Sequence, residues 1–97
     1  MSNHAGIVGL AARAGKLICG TAPTIRGMKS GLPVYVVLIA ANASANTQER
    51  IGRLAQLYRV PIRHSGLDNM ALARATGREG MLSCVAIIDK NMAAGVL

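Results

Sequence analysis

The chain has 97 residues, 52% of them hydrophobic and 15% charged, which excludes a disordered or collagen-like protein and predicts a single domain over residues 1–97. Eleven Lys and Arg against four Asp and Glu give a net charge of +7, a balance typical of small domains that bind nucleic acid. The only aromatic residues are two tyrosines, so the core must be aliphatic.

The charges are unevenly distributed along the chain. Residues 1–48 contain no acid, because the acidic residues are Glu49, Asp68, Glu79 and Asp89. Arg outnumbers Lys eight to three, and the planar guanidinium favours bidentate contacts to phosphate. On charge alone, a basic protein that is merely soluble stays the alternative.

The first half of the chain predicts two helices and two strands. Gly15 ends a first helix, whose apolar stripe is Ile7, Leu10, Ala11 and Ala14. A short strand follows at 17–19, and Thr21 is the predicted N-cap of a second helix that Gly31 ends. Residues 34–39 are β-branched and nearly unbroken, which predicts a central strand buried on both faces.

The second half predicts three more helices and two more strands. Ser44 is the favoured N-cap of the third helix, with Asn46 as its rival, and the inward stripe of that helix is Ile51, Leu54, Ala55 and Tyr58. Residues 61–64 predict an edge strand, because proline is excluded from central ones. We then expect a fourth helix at 67–76, a loop at 80–83 and a last strand at 84–88. Asp89 is the predicted cap of a short final helix.

Helices and strands therefore alternate along the whole chain, in the order α-β-α-β-α-β-α-β-α. This alternation predicts an α/β protein, specifically a three-layer α-β-α sandwich in which a four-stranded mixed sheet has helices on both faces.

Metal sites, membrane segments and catalytic motifs are not indicated. Cys19 and Cys84 form no Cys-x-x-Cys motif, the most apolar run covers 34–41, and residues 1–15 do not read as a signal peptide. We expect a cytoplasmic protein that needs no metal or cofactor. His4 and His64 are isolated and no nucleophile motif is present, so we predict that it is not an enzyme. The catalytic alternative is a small enzyme, or the substrate-binding domain of an RNA methyltransferase, completed by a partner chain.

The segment 16–29 has the clearest binding pattern. Gly20 and Thr21 stand where a helix begins, and the free backbone N–H groups at such a point attract anions. Arg26 and Lys29 are three residues apart and share a helix face, while Lys16 comes just before the strand. These residues predict a phosphate-binding site. A solvated helix face is the alternative.

Several short motifs match a known family in both order and spacing. They are Ala12-Arg13-Ala14-Gly15-Lys16-Leu17, Gly20-Thr21 with Arg26, the segments 36–40 and 42–47, Tyr58-Arg59-Val60-Pro61, Leu72-Ala73-Arg74-Ala75-Thr76-Gly77 and the segment 85–88. Over about residues 7–90 the chain resembles the kink-turn RNA-binding family of ribosomal proteins L7Ae and L30e, and especially its small bacterial members.

The resemblance implies a non-catalytic, ribosomal-protein-like protein that binds sharply bent RNA. The start of the second helix enters the widened groove in that family, and an apolar loop before the last strand covers a flipped-out base. By position, the first part falls on Gly20, Thr21, Thr24 and Arg26, and the loop on Gly80, Met81, Leu82 and Ser83. The implied partners are structured RNA, with ribosomal RNA as one candidate, and a ribosomal or translation-factor protein.

Three positions depart from the family pattern. Ala22 and Pro23 stand where strong RNA binders have Asn-Glu or a Lys-Gln variant, and neither side chain can form a hydrogen bond. Ala41 replaces an acidic residue after the central strand. The alternative function is therefore a protein-interaction or ribosome-associated module of the same fold that has lost specific kink-turn recognition.

Overall fold

Helices and strands alternate in the predicted order in the computed structural model, which describes residues 3–97. The helices are α1 (Ala5–Arg13), α2 (Thr21–Lys29), α3 (Ala45–Leu57), α4 (Asn69–Ala75) and α5 (Lys90–Ala94). The strands are β1 (Leu17–Cys19), β2 (Val36–Ile39), β3 (Ile62–His64) and β4 (Cys84–Ile87). Within this described range, no helix has the length and apolarity needed to cross a bilayer.

The four strands form one mixed sheet in the order β1-β4-β2-β3. β4 is antiparallel to both of its neighbours, and β2 and β3 are parallel, with Val37 opposite Ile62. Every residue of β2 and β4 is buried, as expected for central strands packed on both faces. β3 begins just after Pro61 and lies at the edge, which confirms the predicted edge strand.

The helices cover both faces of the sheet. α2 and α3 pack together on one face, and α1 and α4 pack together on the other. The α1–α4 contact is close: a Cβ built at Gly9 would lie 3.1 Å from the backbone oxygen of Ala75. This arrangement confirms the predicted three-layer sandwich.

The strand directions give the molecule two distinct ends. At the Gly20 end, where β1, β2 and β3 finish, lie Gly20, the turn 40–42 and the loop 80–83. At the opposite Tyr35 end, where these strands start, lie Lys16, Tyr35, the turn 58–61 and Ile88. Two hydrogen bonds tie the Tyr35 end together: Ile88 N–H donates to Lys16 O at 3.0 Å, and Tyr35 N–H donates to Ile87 O at 2.9 Å.

Two of the three predicted helix caps are confirmed. The Ser44 side chain accepts a hydrogen bond from Thr47 N at the start of α3, and Asp89 accepts one from Met92 N at the start of α5. The prediction for α2 was wrong, because its N-cap is Gly20 and Thr21 is its first helical residue. Gly20 stays outside the helix because its N–H donates to Cys84 O in β4, at 3.0 Å.

Two predicted inward stripes are also corrected. Tyr58 is the C-cap of α3 and is 41% exposed, because the helix ends before this residue can turn toward the sheet. Leu10 in α1 is 48% exposed and Ala14 is its exposed C-cap, since the buried positions of that helix are Val8, Gly9 and Ala11. The close α1–α4 contact needs small residues and turns the longer Leu10 outward.

Candidate nucleic-acid interface

The start of α2 and the loop 80–83 lie side by side at the Gly20 end. Gly20 N–H is bonded to Cys84 O, directly after the loop, and a Cβ at Gly20 would lie 4.0 Å from Leu82 Cδ2. The two predicted parts of the site are about 60 residues apart in sequence but adjacent in space, because β1 and β4 are neighbouring strands.

Gly20 has a backbone conformation that other residues adopt only with strain. Its φ is +104°, and a Cβ there would also lie 3.4 Å from the Pro23 ring. The first N–H groups of a helix lack intrahelical partners, Pro23 has no N–H, and Thr24 N–H donates to Gly20 O. The donors left for an anion are therefore the backbone N–H groups of Thr21 and Ala22.

The Thr21 hydroxyl is oriented by a buried thiol. Burial raises the pKa of the Cys84 thiol, and its contacts with the Thr21 and Thr24 side chains lower that pKa by less. Cys84 therefore stays protonated at neutral pH, and its Sγ donates to Thr21 Oγ1 at 3.8 Å. A threonine hydroxyl has one donor site and two acceptor sites, so this weak contact leaves the half-buried Thr21 with capacity for a further hydrogen bond.

Thr24 lies in the core, although the resemblance implied an RNA contact there. Its side chain is fully buried, and its Oγ1 lies 3.9 Å from Cys84 Sγ. It shares the inward face of α2 with Ile25 and Met28. The Thr24 side chain therefore supports the start of α2 from beneath and is not available to a ligand.

The outward face of α2 bears the basic residues of the helix. Ala22, Arg26 and Lys29 are all exposed and follow one another at helical spacing. Arg26 lies about 6 Å along the axis from Ala22, and Lys29 about 10 Å, at 1.5 Å per residue. Arg26 is thus within reach of a ligand bound at the Gly20 end.

Lys16 and Lys29 do not join this cluster. β1 separates Lys16 from Gly20 by about 13 Å of extended chain, and Lys29 is the last residue of α2, which runs away from Gly20. Both side chains are exposed at the Tyr35 end. The segment that predicted one phosphate site thus spans the full height of the sheet.

The loop 80–83 places its apolar side chains differently. Met81 is 68% exposed, whereas Leu82 is half-buried and packs against the core. Ser83 is half-buried, and its carbonyl accepts from Ala40 N–H at 2.8 Å. Leu82 anchors the loop, and Met81 is the apolar group that it presents to solvent.

Two asparagines that the sequence did not single out hold the loop in place. Asn42 Oδ1 accepts from Asn69 N–H at 2.8 Å, which joins the turn after β2 to the start of α4. Asn69 O in turn accepts from Leu82 N–H at 2.9 Å. No local pattern reveals this connection, because its members come from three separate segments of the chain.

Other polar features of the surface lie outside this cluster. A shallow depression of about 270 Å³ on the first half of α3 is lined by Asn46, Thr47, Glu49, Arg50 and Arg53. Its charged lining from a single helix is unlike the apolar clefts that bind small molecules. Within residues 3–97, no three His, Cys, Asp or Glu side chains are grouped so as to hold a metal ion.

The fold is an α-β-α sandwich in which a helix start and an exposed loop lie side by side at one end of the sheet. Residues 3–96 match the Ribosomal protein L7Ae/L30e/S12e/Gadd45 family, and the chain belongs to that family. The predicted family resemblance is therefore confirmed.

Two curated relatives are large-subunit ribosomal proteins. The chain is 30% identical to eL30B of Schizosaccharomyces pombe over 80 residues, covering 82% of this chain and 68% of that protein. It is 31% identical to eL30 of Methanopyrus kandleri over 80 residues, covering 82% and 72%.

Two solved structures share the fold. A Bacillus halodurans protein of unknown function superposes with a TM-score of 0.85 at 23% identity, covering 95% of this chain and 90% of that one. A 15.5 kD RNA-binding protein of Giardia lamblia gives a TM-score of 0.79 at 18% identity, covering 95% and 79%.

Proposed function

We propose that the protein binds structured, kink-turn-type RNA at the Gly20 end and acts without catalysis, as a ribosomal-protein-like component of a ribonucleoprotein. The observation that carries this proposal is the contact between the start of α2 and the loop 80–83. It places backbone donors beside an exposed methionine, Met81. A bent RNA offers both a phosphate and an unstacked base to such a surface.

Each part of the interface has a separate task in this proposal. The N–H groups of Thr21 and Ala22 and the Thr21 hydroxyl bind phosphate or base-edge acceptors near the bend. Met81 covers an exposed base, since a thioether packs well on a flat ring. Arg26 contacts a phosphate one helical turn further on.

The absence of polar side chains at Ala22 and Pro23 limits direct base reading. A good bidentate side-chain contact contributes about 1–3 kcal/mol of discrimination between bases. In this proposal, recognition therefore relies on the shape of the RNA, which the backbone donors and the loop can follow. Candidate RNAs are ribosomal RNA and other structured RNAs that contain a sharp bend.

The proposal is tested by reversing one charge at the interface and a matched one elsewhere. Arg26 and Arg74 are both exposed arginines near the C-terminal end of a helix, but they lie on opposite faces of the sheet. We expect Arg26→Glu to weaken the binding of a kink-turn RNA roughly ten-fold or more, as for a lost charged hydrogen bond.

Arg74→Glu is the control, because it changes the net charge and opposes the helix dipole to the same extent as Arg26→Glu does. It should lower the affinity only slightly at the same salt concentration. The two variants should have closely similar thermal midpoints, since the dipole effect is the same in both. Equal losses of affinity in the two variants would contradict the placement of RNA against α2.

A second candidate function is a protein-interaction module. The observation that favours it is the apolar character of the exposed surface at the Gly20 end, where Ala22 and Met81 both face solvent. This reading predicts that purified protein binds neither bent nor straight RNA and that a partner protein covers Met81. The RNA titration therefore separates the two candidates.

A further inference from the structure

The Tyr35 end gathers basic side chains from both faces of the sheet. The C-terminal ends of α1, α2 and α3 and the start of α5 meet there, and five exposed cations lie at these ends or just beyond them: Arg13, Lys16, Lys29, Arg59 and Lys90. The acid at this end is Asp89, whose carboxylate is engaged by Met92 N–H at 2.9 Å. A group of five exposed cations with one engaged carboxylate thus lies opposite the Gly20 end.

The other acids lie away from this end. Glu49 is in the first half of α3, and Asp68 and Glu79 flank α4. A surface with several cations and one engaged carboxylate attracts a polyanion. Charge complementarity therefore indicates nucleic acid as the partner of the Tyr35 end.

Both tyrosines of the chain are exposed at the Tyr35 end. Tyr35 is 36% exposed and Tyr58 41%, in a chain without Phe or Trp. Val37 is opposite Ile62 in the parallel β2–β3 pair, so two residues earlier in both segments Tyr35 is opposite Val60. Neighbouring strands are about 4.8 Å apart, so the two rings emerge from adjacent chain segments.

Arg59 follows the C-terminus of α3 in a left-handed backbone conformation, which glycine adopts after the C-termini of three other helices. Its N–H donates to Gln56 O at 3.2 Å and Val60 N–H donates to Ala55 O at 2.8 Å, with Arg59 at φ +58°. The same pair of bonds ends α1, α2 and α4, where the left-handed residue is Gly15, Gly31 or Gly77. Arginine at this position is strained where glycine would not be, so the backbone gives no reason for its presence.

We propose that the Tyr35 end is a second RNA surface, which binds a single-stranded segment next to the bent RNA held at the Gly20 end. Tyr35 and Tyr58 stack on unpaired bases, and Lys16, Lys29 and Arg59 contact the phosphates between them. The proposal rests on the RNA-binding function proposed above. It also gives a role to the two lysines that lie too far from Gly20 to share its ligand.

The first test measures the affinity for poly-uridine, which has no bend, at one salt concentration. Arg59→Gly removes the cation and also relieves the backbone, so its thermal midpoint should equal or exceed that of the wild type. We expect this variant, Tyr35→Leu and Tyr58→Leu each to bind poly-uridine roughly ten-fold more weakly. Arg74→Gln, which removes a cation on α4, is the control and should bind as the wild type does.

The second test uses protein labelled with fluorotyrosine. Because both tyrosines lie at the Tyr35 end, fluorine NMR reports on this surface and not on the Gly20 end. We expect both resonances to shift when poly-uridine is added, and to shift less with a kink-turn RNA that has no single-stranded overhang.

The possible outcomes separate this proposal from the proposed function. Tight binding of the kink-turn RNA, with unshifted tyrosine resonances and an unaltered Arg59→Gly variant, would overturn the second surface alone. Failure of both RNAs to bind would overturn both proposals.

The Tyr35 end also exposes Leu32 and Leu57, which a protein interface would bury. A concentration-dependent dimer in sedimentation, abolished by Leu57→Ser, would therefore overturn the RNA assignment in favour of a second copy of the chain.

Discussion

Thr24 and Thr21 show how neighbouring residues of one type can have unrelated tasks. Thr24 is fully buried against Cys84, while Thr21, three residues earlier, is only half-buried. The resemblance assigned both to RNA. The difference depends on which way α2 faces the sheet, and Cys84, which sits beneath it, comes from the last strand.

Replacing each threonine by valine separates the two tasks, because this change removes the hydroxyl and nearly keeps the shape. We expect Thr21→Val to weaken the binding of kink-turn RNA by about one hydrogen bond, roughly five-fold. Thr24→Val should leave the affinity unchanged, since its hydroxyl makes a weak contact with sulfur inside the protein. Fluorescence anisotropy with one labelled RNA measures both variants. Equal losses would contradict the assignment of Thr24 to the core.

Local signals in the sequence predicted most of the elements correctly. Gly15 and Gly31 end helices, and Ser44 and Asp89 cap them, because these contacts involve residues only a few positions apart. The start of α2 was placed one residue late. Its N-cap is decided by the bond from Gly20 to β4, a long-range contact that no local pattern contains.

The candidate site was predictable only in part, for a related reason. Lys16 and Gly20 are close in sequence, but β1 is extended and carries them to opposite ends of the sheet. The two hydrogen bonds that connect Asn42, Asn69 and Leu82 join three separate segments, and no one of these segments has a sequence pattern that predicts them. Closeness in sequence across a strand therefore did not mean closeness in space.

The packing of α1 on α4 makes a prediction at the level of the element. Gly6 and Gly9 lie on the same helix, but a Cβ at Gly6 meets nothing within 4 Å, while one at Gly9 meets the Ala75 backbone at 3.1 Å. Gly6→Ala should raise the free energy of unfolding by about 0.5 kcal/mol through helix propensity. Gly9→Ala should instead lower it by about 1 kcal/mol, because overpacking outweighs that gain.

Urea denaturation of the two alanine variants measures this difference directly. The substitution is identical, and only the distance to α4 differs between the two sites. Equal stabilisation by both alanines would show that α1 and α4 can separate without cost, contrary to the close packing seen here.

Across the whole molecule, the charge is arranged as two different surfaces on one sandwich. The Gly20 end combines backbone donors, Arg26 and an exposed methionine, whereas the Tyr35 end combines cations and tyrosines. The net charge of +7 alone predicted affinity for nucleic acid but gave no location for it. The topology of the sheet separates Lys16 and Lys29 from Gly20, so the cations that gave this prediction belong to two different ends of the molecule.

These two surfaces should respond differently to salt. Contacts between cations and phosphates release counterions, so their affinity falls steeply as the salt concentration rises. Backbone donors at a helix start and apolar packing on a base depend less on salt. At high salt, the affinity for a bent RNA that binds the Gly20 end should therefore fall less than the affinity for a straight duplex.

The most direct test of RNA recognition at the Gly20 end is a salt titration of wild-type protein with a kink-turn RNA and an unbent duplex of equal length. We expect the kink-turn RNA to bind more tightly at every salt concentration, with a preference that grows as salt is added. Equal and equally steep binding of the two RNAs would contradict shape recognition at the Gly20 end, and so would the absence of binding to either.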